Sequence, residues 1–171
     1  MSNFKCMWEP DKCRDIRVMK DVPVKRLFNS AKLPSYATPG AGAMDIRLCT
    51  EAMGLKEGTE VVIQPGESVA CKCGIAFELP YGTCGLLLNR SGLSNKFHVT
   101  LVDNVALIDS DYRGDIGFQL RNWGNEPVVI RDGERVVQMA IVPAYLGQII
   151  EVDELSPTRR GEKGYGSTGK E

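Results

Sequence analysis

The chain has 171 residues, of which 43% are hydrophobic and 25% are charged, a composition that excludes wholesale disorder and is typical of one soluble globular domain. Lys and Arg together number 21 and Asp and Glu number 22, so the formal net charge is −1. This balance argues against a basic surface for nucleic acid or an anionic membrane, and any anionic ligand must be bound by local clusters of residues.

Short β-rich segments follow one another along the chain. Glycine (18 residues) and proline (9 residues) separate them, and several alternate between apolar and polar positions, as Ile116, Phe118 and Leu120 do. Many short strands without a long helical pattern predict an all-β fold with little helix, that is, a sandwich, a jelly roll or a barrel. Strands are predicted at residues 22–27, 44–49, 60–63, 68–79, 84–89, 98–102, 116–121, 127–130, 136–142 and 149–152.

The strand pattern divides the chain into three parts. Residues 1–20 precede the first convincing strand and are predicted to be an appended segment, and residues 21–155 are predicted to form the β core. Residues 156–171 contain almost no aliphatic side chains and many glycines, so we predict a flexible C-terminal lid. Neither a signal peptide nor an apolar run of the roughly 20 residues that a membrane span requires is recognised. We expect a cytoplasmic protein with no membrane or nucleic-acid partner.

Histidine and cysteine usage restricts the possible chemistry. His98 is the single histidine, whereas most histidine-based triads and zinc sites need that residue together with others. The general base of an enzyme with this composition is therefore expected to be a carboxylate. The six cysteines include no C-x-x-C pair, so the common zinc and redox spacings are absent. Cys71 and Cys73 are predicted to share one strand face, where they could oxidise.

Two segments in the first half of the chain carry polar residues that a core does not need. The loop PGAGAMD delivers Asp45 to the start of a strand, although a turn with a solvated aspartate is an equally good reading. LLLNRSGLSNK places Arg90, Ser91 and Gly92 at the exit of a buried strand and can continue into a helical turn. A guanidinium, a hydroxyl and exposed backbone N–H groups together can bind phosphate oxygens, and an ordinary surface turn is the alternative.

Two further segments lie in the second half. ALIDSDYRGD places Asp109 beside a buried isoleucine, where a carboxylate can activate water, and Tyr112 where its ring can lie against a sugar; the alternative is a charged hairpin tip. The tail RRGEKGYGSTGK carries phosphate donors and one aromatic ring, and it can fold over an anionic ligand.

Together with GERVVQM in residues 132–143, these segments resemble, in order and over roughly residues 22–169, the five motifs of the homotrimeric dUTPases: AGAMDIRLC, NRSGLSNK, ALIDSDYRGD, GERVVQM and RGEKGYGSTG. The resemblance implies a distorted jelly-roll (β-clip) subunit with a flexible C-terminal arm. It also implies a homotrimer with active sites at subunit interfaces, and hydrolysis of dUTP to dUMP and pyrophosphate with Mg²⁺. This activity would limit uracil in DNA and supply dUMP for thymidylate synthesis.

The resemblance also implies roles for individual residues. Asp109 would deprotonate the water that attacks the α-phosphorus, with Gln138 and Ser91 in the catalytic group, and Asp45 would bind Mg²⁺ through a water. The phosphates would contact Arg90, Ser91, Gly92 and Gln138, and from another subunit Arg160, Ser167 and Thr168. Tyr112 would pack under the deoxyribose. Backbone groups of the hairpin around residues 103–109 would read the uracil edge, with Asp103, Asn104, Leu107 and Ile108 in contact with the substrate. From the tail, Tyr165 would stack on the base and Gly166 would also contact the substrate.

The sequence departs from the common family pattern at several positions. Tyr165, Asn89 and Ala106 stand where phenylalanine, proline and glycine are usual. Asp103 stands where many members have asparagine, and an ionised aspartate only accepts hydrogen bonds. If Asp103 faces the base it would suit cytosine better than uracil; otherwise Asp103 faces away or Asn104 takes the role. A dCTP deaminase or pyrophosphatase of the same fold, and a regulatory binding module that retains the pocket, therefore stay open as alternatives.

Overall fold

Short antiparallel strands make up most of the described part of the chain, residues 21–162 of a computed structural model. One α-helix, α1 (Ser91–Phe97), lies between the seventh and eighth strands, and a single 3-10 turn covers Glu51–Met53. The strands are β1 (Val24–Arg26), β2 (Ser35–Tyr36), β3 (Met44–Arg47), β4 (Val61–Ile63), β5 (Ser68–Lys72), β6 (Ile75–Phe77), β7 (Thr83–Asn89), β8 (Val99–Leu101), β9 (Val105–Ile108), β10 (Gly117–Asn122), β11 (Val128–Ile130) and β12 (Arg135–Pro143).

Two sheets and two strand pairs build the sandwich. The larger sheet has the order β2-β3-β12-β7-β9 and the smaller sheet the order β5-β10-β8, while β1 pairs with β6 and β11 pairs with β4. All these pairings are antiparallel, and β12 pairs with β7 over most of its length and with β3 over its first half. The prediction of an all-β sandwich with little helix is confirmed. Within residues 21–162 no helix is long and apolar enough to cross a membrane.

The core is formed by the inward-facing side chains of both sheets. Alternation along β10 buries Phe118 and Leu120 and leaves Gly117 and Gln119 exposed, as the sequence pattern predicts. The fully buried residues come from nearly every strand and include Ile46, Ile63, Ile75, Phe77, Leu87, Val99, Leu101, Leu120, Ile130 and Met139. The buried Asn122 side chain donates to the Ile63 and Glu126 carbonyls at 2.9 and 2.8 Å, so its amide is satisfied inside the core.

Several strand predictions are wrong in detail. The single strand predicted at 68–79 is divided into β5 and β6 at Gly74, whose φ of +67° favours glycine. A Cβ at that position would also lie 3.0 Å from both Ala31 Cβ and Cys49 Sγ. The strands β2 and β9 were not predicted. The helical turn predicted from SGLSNK is present as α1.

The strand predicted at 149–152 does not form. Residues 144–162 contain no helix or strand, and Ile149 and Ile150 are 94% and 70% exposed. Their apolar character predicted a strand, but within the described part of this chain they pair with no strand and remain exposed. The predicted appended segment, residues 1–20, and residues 163–171 of the predicted lid lie outside the described residues, so the three-part division of the chain stays a prediction.

Asp115 fixes the segment before β10 to the turn between β5 and β6. Its Oδ1 accepts hydrogen bonds from the Ile75 N–H at 3.2 Å and from Cys73 Sγ at 3.9 Å. Its Oδ2 is buried and has no hydrogen-bond partner among residues 21–162. Burial raises the pKa of Asp115 above its usual value of 3.8, although backbone hydrogen bonds from Gly74 and Ile75 act in the opposite direction.

The four cysteines of the described part, Cys49, Cys71, Cys73 and Cys84, are free and buried. Cys71 and Cys73 do lie on one face, as predicted, but they are only 2% and 1% exposed. Burial raises the pKa of each of these two thiols to about 12. Because the thiolate is the species that reacts, neither thiol is suited to a redox role at neutral pH.

We expect the four described thiols to resist Ellman's reagent in the native protein at pH 7.5, because they are buried and Cys71 and Cys73 stay protonated. The variant Cys6→Ser/Cys13→Ser removes the two cysteines outside the described residues and makes the count unambiguous. Native protein should then show almost no rapidly reacting thiol, and unfolding in guanidinium should release all four. Rapid native labelling of Cys71 or Cys73, located by mass spectrometry, would contradict this expectation.

We expect Asp115→Asn to raise the melting temperature at pH 7. A carboxyl group whose folded pKa is raised contributes stability below its unfolded pKa, and this contribution is lost as the pH rises through the folded pKa. Asparagine keeps the acceptor for the Ile75 N–H and removes the charge. The stabilisation should therefore shrink on acidification to about pH 4. The exposed Asp111→Asn is the matched control; an equal gain from both substitutions, or a gain that does not change with pH, would refute the explanation.

Candidate active site

Asp45 is a buried carboxylate shared by two arginines. It lies on β3 and is 7% exposed, and a buried charge of this kind is stable only when it is paired. Its Oδ1 accepts a hydrogen bond from Arg90 Nε at 2.9 Å and its Oδ2 accepts one from Arg135 Nη1 at 3.1 Å. Arg90 Nη1 also donates to the Arg135 carbonyl at 2.8 Å. Asp45, Arg90 and Arg135 are called the arginine cluster below.

The register of three strands places Gln138 beside this cluster. Gln138 on β12 is opposite Asp45 of β3 on one side and opposite Leu88 of β7 on the other. Its Nε2 donates to the Asn89 carbonyl at 3.0 Å, so it contacts the chain immediately before Arg90. Ser91 and Gly92 open α1 and are exposed. Five predicted site residues therefore meet at the end of β7: Asp45, Arg90, Ser91, Gly92 and Gln138.

Residues 103–112, called the hairpin cluster below, contain the second group of predicted site residues. Asp103 and Asn104 lie in the turn between β8 and β9, where Asn104 has a φ of +58°. Leu107 is 58% exposed on β9, and Ile108 is buried. Within residues 21–162, β9 is an edge strand, because it pairs only with β7.

Asp109 is exposed directly after β9. Its carboxylate makes no hydrogen bond or ion pair with another residue of the described range, while its carbonyl accepts from the Tyr112 N–H at 3.2 Å. A carboxylate that is accessible and not engaged by a neighbour can accept a proton from a bound water.

The Tyr112 ring is held in place by its neighbours. Its hydroxyl donates to the Asp115 carbonyl at 3.0 Å, and the ring lies so close to Gly114 that a Cβ there would collide with it. The ring is still 46% exposed. One face is therefore available to a flat apolar partner such as a sugar.

The arginine cluster and Asp109 lie at opposite ends of β7, although β9 pairs with that strand from Leu88 to Gly85. Gly85 pairs with Ile108, which places Asp109 next to Cys84, whereas Arg90 follows Asn89 at the other end of the strand. Six residues of extended chain separate these two positions by roughly 20 Å. The structure therefore does not bring Asp109 together with Arg90 within one chain. Arg160 is exposed, and Tyr165, Gly166, Ser167 and Thr168 lie outside the described residues.

Sequence reasoning did not assign a role to three residues of this region. Arg135 completes the arginine cluster, and Gly114 leaves room for the Tyr112 ring. Asn89 Oδ1 accepts from the Leu101 N–H at 2.6 Å and so joins the end of β7 to β8. A signal for Arg135 was present: Val136 and Val137 are consecutive apolar residues that interrupt the alternation of β12, as expected at a β-bulge.

Asp103 lies beside a different feature. It lines a groove of about 640 Å³ with Lys72 and Gln119, on the outer face of the smaller sheet. None of the residues of the arginine cluster lines this groove.

The donor set suits an indirect role in metal binding. Among residues 21–162 no group of three or more His, Cys, Asp or Glu residues could hold a metal ion. Asp45 already accepts two hydrogen bonds, and a carboxylate has about four acceptor positions, so it can still accept one from a metal-bound water. Mg²⁺ keeps several of its waters and binds substrate phosphates in such sites. The residues present therefore fit Mg²⁺ held by a nucleotide, with Asp45 in contact through water.

Comparison with known proteins identifies the family. The dUTPase family model matches residues 29–169. The deoxyuridine 5'-triphosphate nucleotidohydrolase of Desulfitobacterium hafniense (strain DSM 10664 / DCB-2) is 40% identical over 156 residues, which cover 88% of this chain and 99% of that protein. The enzyme of the same name from Hydrogenobaculum sp. (strain Y04AAS1) is 43% identical over 146 residues, or 85% of this chain and 96% of that protein.

Solved structures agree with the sequence comparison. A point mutant of the Staphylococcus bacteriophage 80alpha dUTPase with dUpNHpp has a TM-score of 0.73 and 28% identity, covering 88% of this chain and 99% of that chain. Another mutant of the phage 80alpha dUTPase has a TM-score of 0.74 and 28% identity, covering 86% of this chain and 98% of that chain. The sandwich is thus the dUTPase jelly roll, and the chain belongs to the dUTPase family.

Proposed function

We propose that this protein hydrolyses dUTP to dUMP and pyrophosphate, with Asp109 as the general base. The observation that carries the proposal is the accessible Asp109 carboxylate, which no other described residue engages, next to the exposed Tyr112 ring. Asp109 takes the proton of a bound water as its oxygen attacks the α-phosphorus. The bond from that phosphorus to the bridging oxygen breaks, and pyrophosphate leaves. General-base assistance of this kind is typically worth about 10²–10⁴ in rate.

The hairpin cluster binds the nucleoside. The outer edge of β9 pairs with no strand of the described range, so its backbone N–H and C=O groups are available to the uracil edge. The base lies along Asp103, Asn104, Leu107 and Ile108, and Tyr112 packs under the deoxyribose. Tyr112 excludes a 2′-hydroxyl because the ring is held against Gly114 and Asp115.

The arginine cluster binds the phosphates. Arg90, Ser91, Gly92 and Gln138 present a guanidinium, a hydroxyl, an exposed backbone N–H and an amide at one place. Magnesium bound to the triphosphate would neutralise part of its negative charge, and Asp45 would hold that ion through a water. Arg160, Ser167 and Thr168 contact the far end of the triphosphate, and Tyr165 and Gly166 cover the base; these tail roles rest on the family resemblance.

The active site forms between subunits of a homotrimer. Asp109 and Arg90 must both lie within a few ångströms of one triphosphate, yet they are roughly 20 Å apart along β7 of one chain. Arg90 of one subunit and Asp109 of a neighbouring subunit therefore together form one active site. The exposed apolar side chains of Tyr145, Leu146, Ile149, Ile150 and Leu155 support this assembly, because a set of this kind is commonly covered by a partner.

Uracil is the favoured base. Asp103 lines the groove on the smaller sheet, which supports the reading in which its carboxylate faces away from the base. Backbone groups of β9 and Asn104 then determine the recognition, and Asp103 gives no preference for the cytosine amino group.

We expect the wild-type protein to release pyrophosphate from dUTP with kcat/KM at least about 10² above the values for dCTP and UTP, because the base is read by fixed polar groups and Tyr112 excludes the ribose. Asp109→Asn should lower kcat for dUTP by about 10² or more while nucleotide binding persists. Asp111→Asn, with the same charge change two residues away, is the control and should be close to wild type. Ammonia release, a preference for dCTP, or normal turnover by Asp109→Asn would overturn the proposal.

We expect two inactive variants to complement each other in mixed trimers. Asp109→Asn and Arg90→Gln each remove one half of every site, but a mixed trimer regenerates one intact site from the Asp109 of one subunit and the Arg90 of another. Co-refolding equal amounts should restore about a quarter of wild-type activity if the three sites are equivalent. Mixing without subunit exchange is the control. If co-refolded trimers of proven mixed composition stay inactive, both residues act within the same subunit.

A further inference from the structure

We propose that Arg135 is a positioning residue of the phosphate site, which keeps the Arg90 guanidinium available to the triphosphate. The inference rests on the proposed function, in which Arg90 binds phosphate. Its basis is the sharing of one carboxylate: Arg90 contacts Asp45 Oδ1 and Arg135 contacts Asp45 Oδ2.

The hydrogen bonds of Arg90 show how sharing the Asp45 carboxylate with Arg135 affects the Arg90 guanidinium. A guanidinium facing a carboxylate alone prefers a bidentate pair with two parallel hydrogen bonds. Arg90 makes only one bond to Asp45, through Nε, and its Nη1 donates to the Arg135 carbonyl. No hydrogen bond joins Arg90 Nη2 to another residue of the described range, and the Arg90 side chain is 24% exposed. The N–H groups of Nη2 are therefore free for phosphate oxygens.

The exposure and the net charge of the arginine cluster favour binding of an anion. The side chains of Arg90 and Arg135 are 24% and 43% exposed, whereas that of Asp45 is 9% exposed. The carboxylate is thus more buried than the side chains of its two arginine partners, and the arginine cluster carries a net charge of +1. The cluster therefore presents a net positive charge to an approaching triphosphate.

Arg135 reaches Asp45 because of a β-bulge. The pairing of β12 with β3 shifts between Arg135 and Val137. In a regular strand Arg135 and Gln138, three positions apart, would point to opposite faces. The additional residue of the bulge reverses this parity and brings Arg135 to the face of Gln138 and Asp45.

Loss of Arg135 would free Asp45 Oδ2. Arg90 could then close onto both carboxylate oxygens, which withdraws its N–H groups from the substrate. Lysine at position 135 keeps the charge and can still donate to Oδ2, so Arg135→Lys should retain most of the function. Arg47 provides a matched control, since it lies opposite Arg135 in the register and donates to the Gly133 carbonyl at 2.9 Å but does not contact Asp45.

The test compares binding of dUpNHpp and of dUMP by calorimetry for wild type, Arg135→Gln, Arg135→Lys and Arg47→Gln. We expect Arg135→Gln to weaken dUpNHpp binding by about tenfold and dUMP binding by less than about twofold. Arg135→Lys should lie near wild type, and Arg47→Gln should bind both ligands normally. Melting temperatures recorded in parallel identify any general loss of stability, which would weaken both ligands alike.

A double-mutant cycle separates positioning from direct phosphate contact. If Arg135 acts through Asp45, Arg135→Gln should cause no further loss of dUpNHpp affinity in an Asp45→Asn background. The double variant also keeps the test available if Arg135→Gln alone fails to fold, because it removes the buried charge together with its partner. A tenfold loss that persists in that background, equal effects of Arg135→Gln and Arg47→Gln, or equal weakening of dUMP would overturn the inference. Absence of dUTP hydrolysis by the wild type would count against the proposed function instead.

Discussion

The pairing of Asp45 with two arginines is the interaction on which the proposed phosphate site depends. Removing a carboxylate from water is costly unless donors replace the lost hydration, and here the donors come from β12 and from the residue that follows β7. The same two bonds that satisfy Asp45 set the direction of Arg90. The hydrogen bonds that stabilise the buried Asp45 carboxylate therefore also orient the Arg90 guanidinium.

Some features of the site could be predicted from the sequence because the residues that form them are neighbours in the chain. Arg90, Ser91 and Gly92 are consecutive and stay together wherever the strand ends, and Tyr112 follows Asp109 by three residues across one turn. The fold class was also accessible, because strand alternation and the spacing of glycine and proline reflect burial on two sheet faces. These predictions needed no knowledge of how the sheets pack.

Other features depend on pairing, which the sequence does not display. The parity of Arg135 relative to Gln138 is reversed by a bulge, and a count along the strand places Arg135 on the wrong face. The distance between Asp109 and Arg90 follows from the register of β9 on β7, which motif order cannot reveal. Ile149 and Ile150 show a different failure: their apolar pattern predicted a strand, but they lie in no strand of the described residues and are exposed.

The position of β7 has a consequence for how substitutions would act. Asp109 lies at one end of this strand and the arginine cluster lies at the other, and in the proposed trimer these ends serve different catalytic centres. A substitution that disturbs packing at the middle of β7, for example at the fully buried Leu87, would therefore alter two catalytic centres although only one subunit carries it. One defective chain in a ring of three could thus impair most of the assembly.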